Sequence, residues 1–382
     1  MLKAGNLNKT QTHAGIPRLV FTLGLIALVL TGLPLAVAWL SGQDIQPHLG
    51  LPHPVSPIEH APFSWPVWIG MGVPVFIMIV VYVLLIRNGI KKNNFSKTRA
   101  VNTFPWWGKI GVLVILVFWI LAWNRFEWFS EYQVHTFTPL WLGYILIMNA
   151  LTWSRTGTCL LTAHPRYLAA LFLLSALFWW YYEYLNTFIR NWHYVGTDSL
   201  GRVELVIHSS LAYATVLPAV ICTLHYFLGF SLLKNSFRGI GTLNLNNARA
   251  LAWTALFAGC AMLVTSTRYP EVFFPLVWIS PLFIIAGLQQ LVQGHSILSP
   301  VAHGDWTPVL MPPLAALCCG FFWELWNVKS LAHWEYSIPY VQAFHIFEMP
   351  AIGYAGYLPF GVVCLSVAWL LPGTGRRLEM QT

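Results

Sequence analysis

Two glutamates carry the first chemical signal in this chain. Glu183-Tyr184-Leu185-Asn186 and Glu324-Leu325-Trp326-Asn327 each close a long apolar run. Positions i and i+3 share a helix face, so each run presents a carboxylate and an amide together. A carboxylate inside hydrocarbon is costly and must face a bundle interior or water. There it can serve as a general acid or base, or as a cation ligand. It can equally be a polar clasp between helices. Further candidates follow. Gln342, His345 and Glu348 fall at i, i+3 and i+6 after Pro339, the spacing of one polar helical stripe. The corresponding part of the first half holds Glu204 and His208. Glu183, Glu324 and Glu348 are therefore the candidate acid/base groups, with His208 and His345 as proton partners. Asn186, Asn327, Trp179, Trp323 and Trp334 are the candidate substrate-binding residues beside them.

The elements that must position these residues are membrane spans. The chain is 57% hydrophobic and 9% charged, against about 25% charged in a soluble domain. Apolar runs of about 18 to 25 residues suit helices, whereas a barrel strand needs about 10. Ten spans are expected near 18–40, 67–87, 108–125, 136–154, 166–186, 205–230, 250–267, 272–292, 307–327 and 350–371. The first run is longer than the roughly 7–15 apolar residues of a signal-peptide core, so it reads as a retained anchor. Threading the connections alternately places 16 of 21 basic residues on one side, with both termini, and 11 of 13 carboxylates on the other. Positive charge stays inside on insertion, so both termini are expected in the cytoplasm of a bacterial cell, the protein lying in its inner membrane. The net charge of +8 then belongs to a face that meets anionic headgroups, and no nucleic acid is implied.

Two stretches match. One runs Asn124-Arg125-Phe126-Glu127, Pro139-Leu140-Trp141, Glu183-x-x-Asn186, Trp192-His193-Tyr194 and Val216-Leu217-Pro218. The other runs Thr267-Arg268-Tyr269-Pro270-Glu271, Pro275-Leu276-Val277-Trp278, Glu324-x-x-Asn327, Trp334-Glu335-Tyr336 and Tyr357-Leu358-Pro359. The expected fold is all-α: an N-terminal helix pair over 1–107, then two tandem parallel four-helix repeats over 108–230 and 231–382. Four is even, so the copies share an orientation, as in parallel-repeat transporters.

The remaining sequence is plainer. Of 20 tryptophans about 14 fall in the outer half, more than an interfacial belt requires. The Pro-rich stretch 41–66 reads as an ordered outer loop resting on the bundle. Its His48, His53 and His60 are too irregularly spaced for a metal site. Six cysteines lie in spans or on the inner side and suggest neither disulfides nor zinc. His208 and His225 share one helix about 25 Å apart and cannot share a haem iron. No phosphate loop, GxSxG or HExxH is present. Bis-His ligation would need His208 with His345 or His193, which no spacing favours; no metal ligands are assigned, and the cofactor is unknown from sequence.

Around Trp334-x-Tyr336 … Phe347-Glu348-Met349-Pro350-x-x-Gly353-Tyr354-x-Gly356-Tyr357-x-Pro359-Phe360 the chain resembles a family of uncharacterised bacterial multi-pass membrane proteins. It is also similar, more faintly, to the duplicated helical repeats of heterodimer-type lycopene cyclases. In those an aromatic-acid helix precedes a helix opening with a Pro-x-Glu-Glu-like motif. Trp323-Glu324 and Glu348-Met349-Pro350 are the counterparts here, while the first half holds only Glu204 and His208. The resemblance implies isoprenoid or lipid chemistry. Three expectations result: a lipid- or isoprenoid-modifying enzyme of the outer leaflet, a membrane scaffold or assembly subunit, or a transporter with a site at the repeat interface.

Overall fold

The computed structural model describes residues 20–52, 55–92, 101–243 and 247–378, without the side chains of Lys92, Gly375 and Arg376. Lys3, Lys9 and Arg18, His53, Lys97 and Arg99, and Glu379 lie outside the described residues.

Hydrophobic length dictates the architecture. The spans are α1 (Val20–Leu40), α2 (Trp65–Lys92), α3 (Trp106–Trp123), α4 (Phe137–Thr156) and α5 (Pro165–Ile189). There follow α6 (Arg202–Tyr213) running into α7 (Val216–Leu228), α8 (Ala248–Arg268), α9 (Ser280–Gln293), α10 (Thr307–Asn327) and α11 (Tyr357–Ala368). Among the described residues eight helices are long and apolar enough to cross a membrane. Two bent pairs bring the number to ten: Glu127–His135 with α4 at 67°, and Pro270–Trp278 with α9 at 46°. The protein is a polytopic helical membrane protein.

Burial sorts the helices. The share of the apolar stretch that is buried rises from 6% in α2, through 22% in α1 and α3, to 56% in α10 and 61% in the last span. Helices α5, α7, α10 and α11 form the core, and α2 lies at the edge with Phe76, Ile77 and Val83 exposed. Close approach rests on glycine where backbones touch. A Cβ on Gly143 would sit 2.9 Å from the Gly111 carbonyl of α3, and one on Gly287 2.8 Å from the Ala252 carbonyl of α8.

The prolines of the matched stretches sit differently: Pro139 stands in the first turn of α4, and Pro275 in the 3-10 segment ahead of α9, whose first turn holds Pro281. One expectation is corrected. The segment after Pro339 is not helical, so Gln342, His345 and Glu348 do not form a stripe. Two strands precede it, β1 (Trp192–Val195) and β2 (His333–Tyr336), and the segment itself makes a turn and a small hairpin of β3 (His345–Ile346) and β4 (Met349–Pro350). Tyr340, Phe344 and Phe347 all have positive φ, which no helix accepts. Long-range bonds impose this path: Tyr340 N–H donates to the Ala61 carbonyl at 3.0 Å, and Ser64 N–H to the Tyr340 carbonyl at 2.9 Å.

The 41–64 loop rests on the bundle end as a strap. His60 Nδ1 meets Glu271 Oε1 at 2.5 Å, and Ser337 Oγ donates to the Ile58 carbonyl at 3.0 Å. Arg202 Nε donates to the Leu51 carbonyl at 2.9 Å. His48 stacks on Phe188, ring centroids 3.8 Å apart, with its Nδ1 2.6 Å from Thr187 Oγ1.

Candidate functional site: two glutamates under an aromatic ribbon

The two Glu-x-x-Asn motifs end α5 and α10. Each asparagine ties its helix to the strand that follows. Asn186 Oδ1 accepts from Asn191 N–H at 2.9 Å, and its Nδ2 donates to the Trp192 carbonyl at 2.7 Å. Asn327 Oδ1 accepts from Trp334 N–H at 2.8 Å, and its Nδ2 donates to the Trp334 carbonyl at 2.7 Å. Both amides are engaged with backbone, so they position the strands.

Those strands meet. β1 and β2 pair antiparallel, with Trp192 opposite Tyr336, His193 opposite Glu335 and Tyr194 opposite Trp334. The Trp-x-Tyr of one stretch thus lies head to tail on the Trp-x-Tyr of the other. Alternation along a strand puts all four aromatics on one face. That face is turned to the glutamates, as the bonds below require. The opposite face carries Glu335 between two imidazoles: His193 Nε2 lies 3.4 Å from its Oε2, and His333 Nε2 3.4 Å from its Oε1. Gly196, at φ +76°, leaves the ribbon where a Cβ would fall 2.0 Å from the Leu331 carbonyl.

Glu183 is 3% exposed and Glu324 is fully buried. Oε1 of Glu183 accepts three bonds: from Trp179 Nε1 at 2.9 Å, Trp192 Nε1 at 3.2 Å and Tyr194 OH at 2.7 Å. Oε1 of Glu324 accepts two, from Tyr336 OH at 2.8 Å and Tyr357 OH at 2.9 Å. Trp334 Nε1, the counterpart of Trp192, donates to the Tyr336 hydroxyl at 2.7 Å instead of to the carboxylate. Oε2 of Glu324 is buried with no hydrogen-bond partner. The two glutamates have different environments although their motifs match.

The difference traces to one exchange. Counting back four residues from each glutamate gives Trp179 in α5 and Gly320 in α10. A Cβ on Gly320 would lie 2.4 Å from the Tyr357 ring. The missing side chain lets Tyr357 lie across α10 and take over the donor role that Trp179 fills on α5. Tyr354 sends its hydroxyl to the Ile346 carbonyl at 3.2 Å, away from the free oxygen.

An aromatic layer joins the two carboxylate clusters. Phe360, 1% exposed, touches Trp179 on the Glu183 side at 5.8 Å between centroids, and Trp323 on the Glu324 side at 6.2 Å. Trp323 also stacks on Tyr357 at 5.9 Å and meets Trp141 at 4.9 Å. Trp334 packs edge-on against Phe137 at 5.7 Å. The Tyr194 and Tyr336 phenols sit in the ribbon, outside the spans. Burial first, and the adjacent carboxylate second, push both well above the ordinary tyrosine value, so they remain donors. The Tyr194 ring keeps 38% exposure at its outer edge while its hydroxyl end is enclosed against Glu183.

Of the other candidates, Glu348 is half-buried and within electrostatic reach of Glu324. His345 is exposed in β3. His208 faces His135, Nδ1 to Nδ1 at 3.1 Å, and Glu204 caps α6 by accepting from Gly201 N–H at 3.3 Å. Among the described residues no hydrogen bond or ion pair joins His208 or His345 to a glutamate. Tyr194, Tyr336 and Tyr357, which hold the carboxylates, were not singled out by sequence. The recurring Trp-x-Tyr was the available signal for the first two, and none marked Tyr357. Among the described residues no group of three or more His, Cys, Asp or Glu side chains is arranged to hold a metal ion. Searches against family models, curated proteins and solved structures return no match.

Proposed function

We propose that the chain is a membrane enzyme acting on a lipid or isoprenoid substrate, with Glu324 as its working acid/base. The observation that carries the reading is the unpartnered Oε2 of Glu324. Of the fourteen buried side-chain polar atoms without a partner among the described residues, it is the one carboxylate oxygen, the most costly kind to leave unpaired. Two phenols hold one carboxylate oxygen and leave the other able to exchange a proton with an entering group. Trp323, Tyr357 and Phe360 around it favour an apolar chain over a polar metabolite. Glu348 is the second acid of the site, and Trp334 and Trp323 are its walls. Glu183, whose Oε1 takes three donors, is the structural counterpart. We further propose that the matched stretches are a duplication whose two copies meet at the ribbon. The ribbon then faces outward across a bacterial inner membrane, and the opposite basic face meets anionic lipid.

A scaffold reading draws on the same ribbon, since it ties the ends of α5 and α10 as a clasp would. Lipid mass spectrometry separates the two. Cells carrying Glu324→Gln should accumulate an isoprenoid or lipid species that wild type converts, with folded protein at normal level. An unchanged lipid profile in both the deletion and the variant would leave the clasp as the function of the pair.

A further inference from the structure

The end of the bundle opposite the ribbon holds a cavity that the glutamates do not explain. It has a volume of about 470 Å³ and is lined by His164, Pro372, Gly373 and Arg377. Among the described residues its lining has a guanidinium and an imidazole and no carboxylate. Arg377 is held in place from two sides. Its Nη1 donates to the Pro372 carbonyl at 2.8 Å, and its guanidinium carbon lies 4.9 Å from the centroid of the Tyr167 ring. Gly373, at φ +78°, makes the turn that brings Arg377 back over α5, with Arg377 N–H donating to the Gly373 carbonyl at 3.1 Å. His164 also lines it, the residue that precedes the first turn of the 25-residue α5 and makes no side-chain cap there. Arg166, two residues on, is exposed.

A planar, always-charged fork stacked on an aromatic ring is suited to bidentate phosphate recognition. The His164 imidazole in the same lining supplies another donor. The positive end of the α5 dipole adds to the same sign. We infer that this cavity binds a phosphate group, with Arg377 as the main ligand and His164 as the second. The group comes either from the headgroup of an anionic lipid of the adjacent leaflet or from free phosphate. This site is independent of Glu324 and of any reaction there.

The test uses the full chain purified in detergent. Its melting temperature is followed during titration with short-chain phosphatidylglycerol, phosphatidylcholine and inorganic phosphate. Phosphatidylglycerol should stabilise the wild type more than phosphatidylcholine. Arg377→Gln should weaken the apparent affinity about tenfold, the loss of one charge-assisted pair. Arg377→Lys should recover part of it, and His164→Gln should lose less than Arg377→Gln. Stabilisation by phosphatidylglycerol alone assigns the phosphate to lipid; an equal, Arg377-dependent effect of inorganic phosphate assigns it to a soluble source, and either supports the site. Absence of stabilisation by both probes overturns it. So does wild-type affinity in both Arg377→Gln and His164→Gln. Should Arg377→Gln fail to fold, Arg377→Lys and His164→Gln decide by the same criterion.

Discussion

Removing one phenol hydroxyl from each glutamate should have unequal effects. Tyr357→Phe deletes one of two donors to Glu324 Oε1, and Tyr194→Phe deletes one of three to Glu183 Oε1. Both changes keep the ring, so the packing of Tyr357 over Gly320 survives. A hydrogen bond to a charged group contributes about 1.5–3 kcal/mol net, and a neutral one about 1 kcal/mol. Glu183 retains two indole donors after the change, so Tyr194→Phe should cost about 1 kcal/mol. Glu324 retains one, with its second oxygen already unpartnered, so Tyr357→Phe should cost about 2–3 kcal/mol. The gap of about 1.4 kcal/mol is a factor of about ten in the ratio of folded to unfolded protein. Reversible unfolding in mixed micelles, read by tryptophan fluorescence, measures both. Equal costs, or a larger cost for Tyr194→Phe, would refute the argument that Glu324 is the less satisfied carboxylate.

Other consequences are smaller in scope. Gly196→Ala forces a side chain against the Leu331 carbonyl at a left-handed backbone position, and should cost about 2 kcal/mol or more by loosening the ribbon. Its signature is lower thermal stability with the helix content by circular dichroism kept. The strap should loosen in acid. Burial holds His48 below the ordinary imidazole value, against a smaller opposing pull from Asp44. Its neutral form is therefore favoured by the fold. The contribution is present above the ordinary value of 6.5 and is lost as pH falls through the lower folded value. Limited proteolysis of the 41–64 loop should speed up below about pH 6, and His48→Gln should flatten that dependence. A cleavage rate independent of pH in the wild type would contradict it.

Much of the fold was legible because hydrophobic length is a local property. The expected 307–327 span is the observed α10, and the expected 108–125 differs from α3 by two residues at each end. The glutamates were legible for a similar reason: charge in an apolar run stands out whatever the neighbours do. What could not be read was set by contacts between distant segments. The Gln342–His345–Glu348 spacing fits a helix, but Ala61 and Ser64 hold Tyr340 in a turn from nearly 280 positions away in the chain. The pairing of β1 with β2 spans more than 130 residues and left no periodic trace in four-residue strands. The different surroundings of Glu183 and Glu324 depend on Gly320 making room for Tyr357. A lone glycine in an apolar helix does not announce which ring it admits.

The central proposal is that Glu324, rather than Glu183, is the carboxyl group that meets an apolar ligand. A hydrophobic carbodiimide reacts with protonated carboxyl groups reached through the bilayer, and peptide mass spectrometry locates the adduct. Treatment of the protein in membranes should label Glu324 in preference to Glu183, and the label should disappear in Glu324→Gln. Preferential labelling of Glu183, or equal labelling of the two, would contradict the account.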